Sequence, residues 1–177
     1  MAKGAEDDVF VSLAKKAVEE FVRFGRLTPA PETVPAELEI PSGAFVCMKR
    51  NGELRGCIGT IEATQSDLST EIIKNAINAA VCDPRFEPVS EDELDDLVYS
   101  VDILGAAEPV ISLDDLDPKK YGVIVESGCK RGLLLPDLEG VDTVEDQLSI
   151  AMRKACIREG EPVNIYRFQV TRHGAKG

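Results

Sequence analysis

Histidine is almost absent from this sequence, and its cysteines are not closely paired along the chain. The one histidine is His173, and no Cys-x-x-C occurs. Structural zinc sites are built from thiolates and imidazoles at such short spacings, so we expect no metal site. An odd number of unpaired cysteines predicts free thiols and a reducing, cytoplasmic location. They are Cys47, Cys57, Cys82, Cys129 and Cys156.

Long apolar runs and nucleotide-binding motifs are also missing. No run reaches the roughly 18 consecutive apolar residues of a membrane-spanning helix, and residues 1–8 lack the apolar core of a signal peptide. The sequence contains no P-loop, no G-x-G-x-x-G and no G-x-S-x-G. Nucleoside triphosphate chemistry and serine hydrolysis therefore have no support, and we expect neither a membrane segment nor a cofactor.

Positive charge is scarce. The chain has 20 Lys and Arg against 32 Asp and Glu, a net charge of −12. Nucleic-acid-binding proteins neutralise phosphates with a surplus of cations, so binding to nucleic acid is not expected, and neither is attraction to an anionic membrane. The acidic group Asp114, Asp115 and Asp117 lacks the ordered spacing of a calcium-binding loop and predicts a solvated turn.

The apolar residues that are present suffice for a folded core. The chain has 177 residues and is 44% hydrophobic, which predicts one domain over residues 1–177 with two lobes. Apolar spacings of three and four predict helices over residues 6–24, 66–81 and 143–156. Strands are expected at 98–104, 121–126 and 163–171, whereas prolines exclude a helix from 26–43. The tail from Arg172 is predicted to be mobile.

Two residues are predicted to set the ends of these helices. Gly25 follows the first helix and is a plausible C-terminal stop. Ser66 precedes the second and is the expected N-cap. The helix end at Cys82 follows from Pro84, because the residue before a proline disfavours helical backbone.

The chain is organised around a predicted hairpin. The apolar run Ala44–Met48 and the segment Glu53–Thr60 flank Asn51-Gly52. Asn-Gly between two such runs predicts a two-residue type I′ turn, because both central residues must adopt positive φ.

This turn determines which residues of the hairpin face each other. It pairs Cys47 with Gly56 and Val46 with Cys57, and side chains alternate between faces with a period of two. Arg55 and Cys57 then share a face with Val46, while Cys47 lies on the other face. A disulfide needs adjacent Cβ atoms, so we expect none between Cys47 and Cys57.

The second strand carries a thiol beside a cation and between two glycines. Arg55 and Cys57 lie two residues apart, about 7 Å between Cα atoms, so a guanidinium can reach the thiolate or an anionic ligand. Gly56 and Gly59 indicate a bulge or the close approach of a ligand or backbone. Two interpretations stay open, a functional site with Cys57 as its thiol and a core hairpin in which Cys57 is a small hydrophobic residue.

Thiol reactivity separates these two interpretations. A neighbouring cation lowers the pKa of a thiol, and apolar burial raises it. Cys57 has Arg55 on its own face, whereas Cys82 and Cys156 lie at helix ends that look buried. We therefore expect Cys57 to be the thiol that is alkylated fastest in the native protein.

Several segments of the chain resemble the AMMECR family. They are Leu54–Thr60 with the sequence LRGCIGT, Asp83–Pro88 with DPRFEP, and Arg131–Pro136 with RGLLLP. Leu138–Thr143 is similar to the prokaryotic branch of the family, which is called AmmeMemoRadiSam system protein A. The resemblance covers nearly the whole chain, and its motifs are long enough to be specific.

The resemblance implies an α/β fold of the α+β type, in which two unequal lobes contain mainly antiparallel sheets flanked by helices. The N- and C-terminal segments are expected in the larger lobe. A Memo-like protein and a radical-SAM protein are the implied partners. The resemblance implies no particular reaction.

A cleft between the lobes is the expected site, and a small anion is the expected ligand because arginine binds carboxylate and phosphate through two nitrogens. Cys57 and Arg55 are the candidate catalytic residues. The candidate ligand-binding residues are Gly56, Gly59, Thr60, Arg85, Phe86, Arg131 and Gly132.

Two functions from different classes fit these residues. The first is a cysteine-dependent enzyme, with Cys57 as nucleophile or redox thiol and the arginines binding an anionic substrate. It lacks an obvious base, because the one imidazole, His173, is either a general base or a surface residue near the chain end. The second is a non-catalytic binding or scaffold module for the Memo-like and radical-SAM partners.

Overall fold

The structure, a computed structural model, describes residues 8–174. The predicted helix start at residues 6 and 7, and residues 175–177 of the predicted mobile tail, lie outside the described residues. Within residues 8–174 the helices are α1 (Val9–Phe24), α2 (Ala36–Glu39), α3 (Leu68–Val81) and α4 (Val144–Lys154), with 3-10 helices at Glu91–Asp96 and Leu113–Asp115. The strands are β1 (Ala44–Arg50), β2 (Glu53–Gly59), β3 (Leu97–Leu104), β4 (Glu108–Pro109), β5 (Gly122–Ser127), β6 (Lys130–Leu134), β7 (Asn164–Phe168) and β8 (Val170–Gly174).

The chain divides into two compact units. Among the described residues, the first comprises residues 8–103 and 172–174, and the second is Leu104–Thr171. The sheet of the first has the strand order β2-β1-β3-β8, and the sheet of the second has the order β4-β7-β5-β6. Strand β1 is antiparallel to β2 and β3, and β5 is antiparallel to β6 and β7. The predicted class, α/β with antiparallel sheets flanked by helices, is confirmed.

The core of the first unit lies between its sheet and helices α1 and α3. On one face of β1, Ala44, Val46 and Met48 are 0% exposed. They belong to the same cluster as Val18 of α1 and Ile72 of α3. Full burial of a Val, Ile or Met side chain stabilises a protein by roughly 1.5–3 kcal/mol, so this layer firmly anchors the first strand of the hairpin.

Capping hydrogen bonds and backbone conformation determine where helices α1 and α3 begin and where α1 ends. Asp8 accepts two backbone hydrogen bonds at the start of α1, and Gly25, with φ 65°, ends it as predicted. The predicted N-cap of α3 was wrong by one residue. Asp67 takes that place instead of Ser66, because its carboxylate accepts a 2.8 Å hydrogen bond from the N–H of Thr70.

The proline-rich connection over residues 26–43 contains the one-turn helix α2, which corrects the prediction that it has no helix. The helix follows Pro35 and buries Leu38 completely. A proline at the start of a helix costs no hydrogen bond, because the first N–H groups of a helix have no partner within it. Burial of the Leu38 side chain stabilises this one-turn helix.

The C-terminal segment was predicted as one strand followed by a mobile tail, and this is wrong through Gly174. Two strands, β7 and β8, occupy it, and β8 lies beside β3. The Arg172 guanidinium donates two 2.7 Å hydrogen bonds to Asp102, which is 2% exposed. His173 Nδ1 lies 2.7 Å from Asp8 Oδ2. These pairs hold the segment in the sheet.

The second unit is built around the β5–β6 hairpin and helix α4. The β5–β6 hairpin turns at Gly128 (φ 58°), and Thr143, the first residue of the helix predicted over 143–156, is the N-cap of α4. Gly132 in β6 lies so close to α4 that an added Cβ would collide with the carbonyl oxygen of Ala151. The strand and the helix approach each other this closely only because that position has no side chain.

A buried carboxylate, Glu71 of α3, holds the loop that leaves the first hairpin. It accepts hydrogen bonds from the Thr60 hydroxyl at 2.6 Å, and from the Thr64 hydroxyl, the Thr64 N–H and the Gln65 N–H at 2.8 Å each. Burial raises the pKa of Glu71, but these hydrogen bonds outweigh burial and lower it overall. The carboxylate is therefore charged at neutral pH and organises the loop around itself.

Replacing Glu71 should test this role. In Glu71→Gln a neutral amide with one acceptor oxygen replaces the carboxylate, and hydrogen bonds to charged groups are worth more than neutral ones. We expect the free energy of unfolding in urea at pH 7 to fall by about 2 kcal/mol. Glu37→Gln, at an exposed position of α2, is the matched control and should change it by less than about 0.5 kcal/mol. Equal effects of the two substitutions would contradict the role of Glu71.

Candidate functional site

The β1–β2 hairpin begins in the predicted register and then departs from it. Arg50 faces Glu53 and Lys49 faces Leu54, as an Asn-Gly turn of two residues requires. The register then shifts between Lys49 and Met48, and Met48 faces Gly56. Strand β2 thus has one extra residue, Arg55, at this point, which is the arrangement of a β-bulge.

The bulge brings the two cysteines of the hairpin face to face, so the predicted register was wrong beyond Lys49. Cys47 lies opposite Cys57 with 4.1 Å between their Cα atoms, and the two form a disulfide. Both predictions, that this disulfide is absent and that both thiols are free, are therefore corrected. Cys57 is consequently not the fastest-alkylated thiol in this form of the protein.

The bulge also reverses the predicted faces of β2. Gly56, instead of Cys57, shares the buried face of the hairpin with Met48, whose side chain lies next to it. Cys57 lies with Cys47 on the opposite face, where both are half-buried. The predicted grouping of Cys57 with Val46 and Met48 is wrong, because one inserted residue moves every later side chain to the other face.

The two motif glycines have packing roles in the structure. An added Cβ at Gly56 would collide with the carbonyl oxygen of Ala79 in α3. An added Cβ at Gly59 would collide with the ring of Phe45 across the hairpin. The close approach that the glycines predicted is thus to a helix backbone and to an aromatic ring. Their predicted role in ligand binding stays a prediction.

The outer backbone of β2 is covered by the loop that follows α3. The N–H of Cys57 donates a 3.0 Å hydrogen bond to Asp83 Oδ2, and its carbonyl accepts one of 3.4 Å from Arg85 Nη2. Asp83 is 4% exposed and also accepts two hydrogen bonds from the Arg85 guanidinium. Those bonds, above all, hold the pKa of Asp83 well below its usual range. The loop therefore fixes Cys57 through its backbone.

Arg55, the bulged residue, is bound by a second carboxylate. Its guanidinium donates to both oxygens of Glu93, at 2.8 and 3.0 Å, and to the carbonyl of Glu87 at 3.0 Å. Arg50 donates to the same carboxylate at 3.2 Å, and the N–H of Ser90 at 2.9 Å. The Arg55 hydrogen bonds are the largest cause of the lowered pKa of Glu93, about 2.

Phe86 connects the two arginines. The guanidinium carbons of Arg55 and Arg85 lie 5.8 and 5.5 Å from the centre of its ring, within the range of cation–π attraction. The structure thus brings together Arg55, Phe86 and Arg85, all predicted to belong to the site. Both arginines are already paired with carboxylates, Arg55 with Glu93 and Arg85 with Asp83. A small anion would have to compete with these carboxylates for the guanidinium groups. The predicted anion binding stays a prediction.

Thr60, predicted as a ligand-binding residue, is engaged within the protein. Its hydroxyl donates to Glu71 at 2.6 Å and accepts a 3.2 Å hydrogen bond from Asn75 Nδ2. Arg131 and Gly132 lie in the second unit. There Arg131 Nε is 3.0 Å from Glu126 Oε1, its cross-strand neighbour. The predicted roles of these residues in a cleft between the lobes stay predictions.

His173, the candidate general base, contacts other side chains of the protein. His173 pairs with Asp8, and its ring stacks on Phe10 with 3.9 Å between centroids.

Residues 8–174 contain no group of three or more His, Cys, Asp or Glu arranged to hold a metal ion. Across the same range, no helix has the length and apolar character that crossing a bilayer requires.

The three free cysteines are exposed. Cys82 and Cys156 were predicted to look buried, and this is wrong. Cys82 follows the last residue of α3, and Cys156 follows α4 with φ 56°. Both thiols lie just beyond the last helical residues, and Cys129 lies in the turn between β5 and β6.

Several residues that build the site were not singled out from the sequence. Cys47, Asp83 and Glu93 belong to it because of contacts over 10, 26 and 38 positions of the chain. Gly56 inside β2 indicated a bulge in the sequence, and that bulge places Cys57 opposite Cys47. Ser90 and Glu93 have the sequence spacing of a capping box, and the structure contains that box. This spacing does not indicate the bond between Glu93 and Arg55.

Comparisons with known proteins give a consistent picture. The AMMECR1 family model matches residues 11–173. A protein of Thermotoga maritima is 56% identical over 167 residues, which cover 93% of this chain and 96% of that protein. A protein of Clostridium acetobutylicum is 47% identical over 174 residues, which cover 97% of this chain and 37% of that longer protein.

A solved structure has the same fold. The crystal structure of the uncharacterized protein PH0010 from Pyrococcus horikoshii is similar with a TM-score of 0.84 and 32% sequence identity. The similarity covers 92% of this chain and 88% of that chain.

Thiol mapping should detect the disulfide directly. When the protein is purified without reductant, unfolded and alkylated, we expect three labelled cysteines, Cys82, Cys129 and Cys156. A peptide pair linked through Cys47 and Cys57 should appear in the digest. Cys47→Ser should make Cys57 available for labelling. Complete labelling of all five cysteines in the unreduced protein would contradict the pairing.

The Arg55–Glu93 pair should make stability depend on pH in a defined direction. The pKa of Glu93 is lowered from 4.5 to about 2, so its stabilisation is complete above the unfolded value and is lost as the pH falls towards the folded value. At pH 7 we expect Glu93→Gln to cost about 2 kcal/mol in the free energy of unfolding.

The difference between wild type and Glu93→Gln should narrow between pH 5 and pH 3, measured by urea denaturation. Glu87→Gln, an exposed carboxylate of the neighbouring loop, provides the control and should be close to wild type throughout. A Glu93→Gln difference that does not change with pH would show that the charge of Glu93 is irrelevant.

Proposed function

The chain belongs to the AMMECR1 family, and we propose that in this member the Cys47–Cys57 pair is a redox-active site that exchanges electrons with thiols. The observation that carries this proposal is the disulfide across the hairpin, with both cysteines half-buried and thus within reach of solvent. Of the two interpretations that the motif left open, this supports the functional one, with Cys57 as a redox thiol.

The site is built to bring these two cysteines together. The bulge at Arg55 sets Cys57 opposite Cys47, and Asp83 and Arg85 hold the backbone of Cys57 at that position. The same register turns Gly56 towards α3, so the helix contact and the pairing of the cysteines are set together.

The proposed reaction is a two-step thiol–disulfide exchange. A thiolate from a reduced partner attacks one sulfur, forms a mixed disulfide and releases the other cysteine as a thiolate. A second partner thiol attacks the mixed disulfide, which yields an oxidised partner and the Cys47, Cys57 dithiol. Two electrons and two protons pass from the partner to the protein, and a disulfide-containing oxidant reverses the process.

This chemistry removes the difficulty of a missing base. Thiol–disulfide exchange requires a thiolate and no dedicated general base, so it does not depend on His173, whose ring is engaged by Asp8. Hydrolytic or acyl-transfer chemistry by Cys57 would require such a base. A small anionic substrate has less support, because Arg55 and Arg85 are bound to Glu93 and Asp83.

The alternative, a non-catalytic module that works with Memo-like and radical-SAM proteins, is favoured by a different observation. Leu54 and Val98 are 39% and 51% exposed on the first sheet, and exposed apolar side chains in a group favour protein contact. Co-purification of these partners with a Cys47→Ser/Cys57→Ser variant would support the module. If this variant lost the redox activity but still bound the partners, the protein would have both roles, as a redox protein and as a binding module.

A redox titration tests the proposal. In a variant with Cys82, Cys129 and Cys156 changed to serine, the hairpin pair holds the remaining thiols. Equilibration of the folded protein with mixtures of reduced and oxidised dithiothreitol should give a reversible two-electron transition. Cys57→Ala in the same background should abolish it. Reduction only after unfolding, monitored by circular dichroism, or failure of the disulfide to form again, would contradict the proposal.

A further inference from the structure

The disulfide lies in the middle of a partly exposed, mostly apolar sheet face. Cross-strand neighbours share a face, and β1 residues alternate between the buried core and this face. Across the sheet, Cys47 lies between Cys57 and Ser100. Two residues further along β1, Lys49 lies between Leu54 and Val98.

The row on the other side of the disulfide completes this face. Phe45 lies between Gly59 and Asp102, and its ring covers Gly59. Asp102 is buried and paired with Arg172, so it adds little charge. We define the outer sheet face as these three rows, with the disulfide in the central row.

From this arrangement we infer that the natural exchange partner is a protein thiol on an apolar segment, which docks on the outer sheet face. The inference rests on the proposed redox function and specifies its substrate class. The side chains next to the disulfide along the sheet are Leu54 and Val98 on one side and Phe45 on the other. Burial of such side chains on association is favourable in proportion to the apolar area that leaves water.

Small anionic thiols, such as glutathione, fit the site poorly. Recognition of their carboxylates would require available guanidinium groups, and Arg55 and Arg85 already bind Glu93 and Asp83. The net charge of −12 also repels an anionic ligand at long range. Lys49 adds a cation to the face, but its alkyl stem extends the apolar surface between its neighbours.

The edge of β2 offers no alternative route for a partner strand near the disulfide. The outward N–H and carbonyl of Cys57 are occupied by Asp83 and Arg85. An added strand would need these same backbone groups for its hydrogen bonds. A partner that reaches the sulfur atoms therefore approaches over the face.

Two synthetic peptides of equal length test the inference, each with one cysteine. One places the cysteine between leucine and valine residues, and the other places it between serine and glycine residues. The measured quantity is the second-order rate constant for opening of the oxidised protein, followed by mass spectrometry of the mixed disulfide. We expect the apolar peptide to react about tenfold faster than the polar peptide or glutathione, which corresponds to burial of part of two aliphatic side chains.

Substitution of the outer sheet face should remove this preference. In Leu54→Gln/Val98→Thr the ratio of the apolar to the polar rate should fall towards one. Ile111→Gln changes an apolar residue of the second unit that is 97% exposed, and it should leave the ratio unchanged. Circular dichroism verifies that both variants are folded.

The outcomes separate the two hypotheses. Equal rates for both peptides and glutathione, or an unchanged ratio in the double variant, would overturn the docking inference while leaving the redox function intact. Failure of every thiol to open the disulfide in the folded protein would overturn the redox function and the inference with it.

Discussion

The close approach of β2 to α3 at Gly56 is the constraint on which the arrangement of the hairpin depends. A Cβ at this position would collide with the carbonyl oxygen of Ala79, so the strand can pack on the helix only with glycine there. Gly56 also follows the bulge at Arg55, which turns this glycine towards the helix and Cys57 away from it. One inserted residue therefore determines which side of the sheet carries the sulfur atoms.

Carboxylates with little exposure hold the segments around this hairpin. Asp83 binds the backbone of Cys57, Glu93 binds Arg55, and Glu71 binds the loop after Gly59. Each accepts several hydrogen bonds, and each has a lowered pKa. A buried carboxylate is tolerable only when its charge is compensated in this way. The acidic composition of the chain is thus partly structural.

The two units use the same device. In the second unit, Gly132 of β6 lies against the Ala151 carbonyl of α4, as Gly56 lies against α3. In both hairpins an arginine precedes the glycine and pairs with a glutamate, Arg131 with Glu126 in the second unit. Arg55-Gly56 and Arg131-Gly132, all predicted to belong to the site, therefore share a role in packing a helix on a hairpin. The disulfide is the chemical feature that the first unit adds.

The sequence by itself determined the local elements and the family. The Asn51-Gly52 turn, the helix stop at Gly25 and the capping box at Ser90 depend on backbone preferences of a few adjacent residues, and these can be read directly. The family resemblance likewise depended on contiguous motifs. Only the tertiary structure decided the bulge, the pairing of Cys47 with Cys57 and the binding of Arg55 by Glu93. The physical reason is that strand register beyond a turn depends on what packs against each face, and here a helix carbonyl and carboxylates distant along the chain select it.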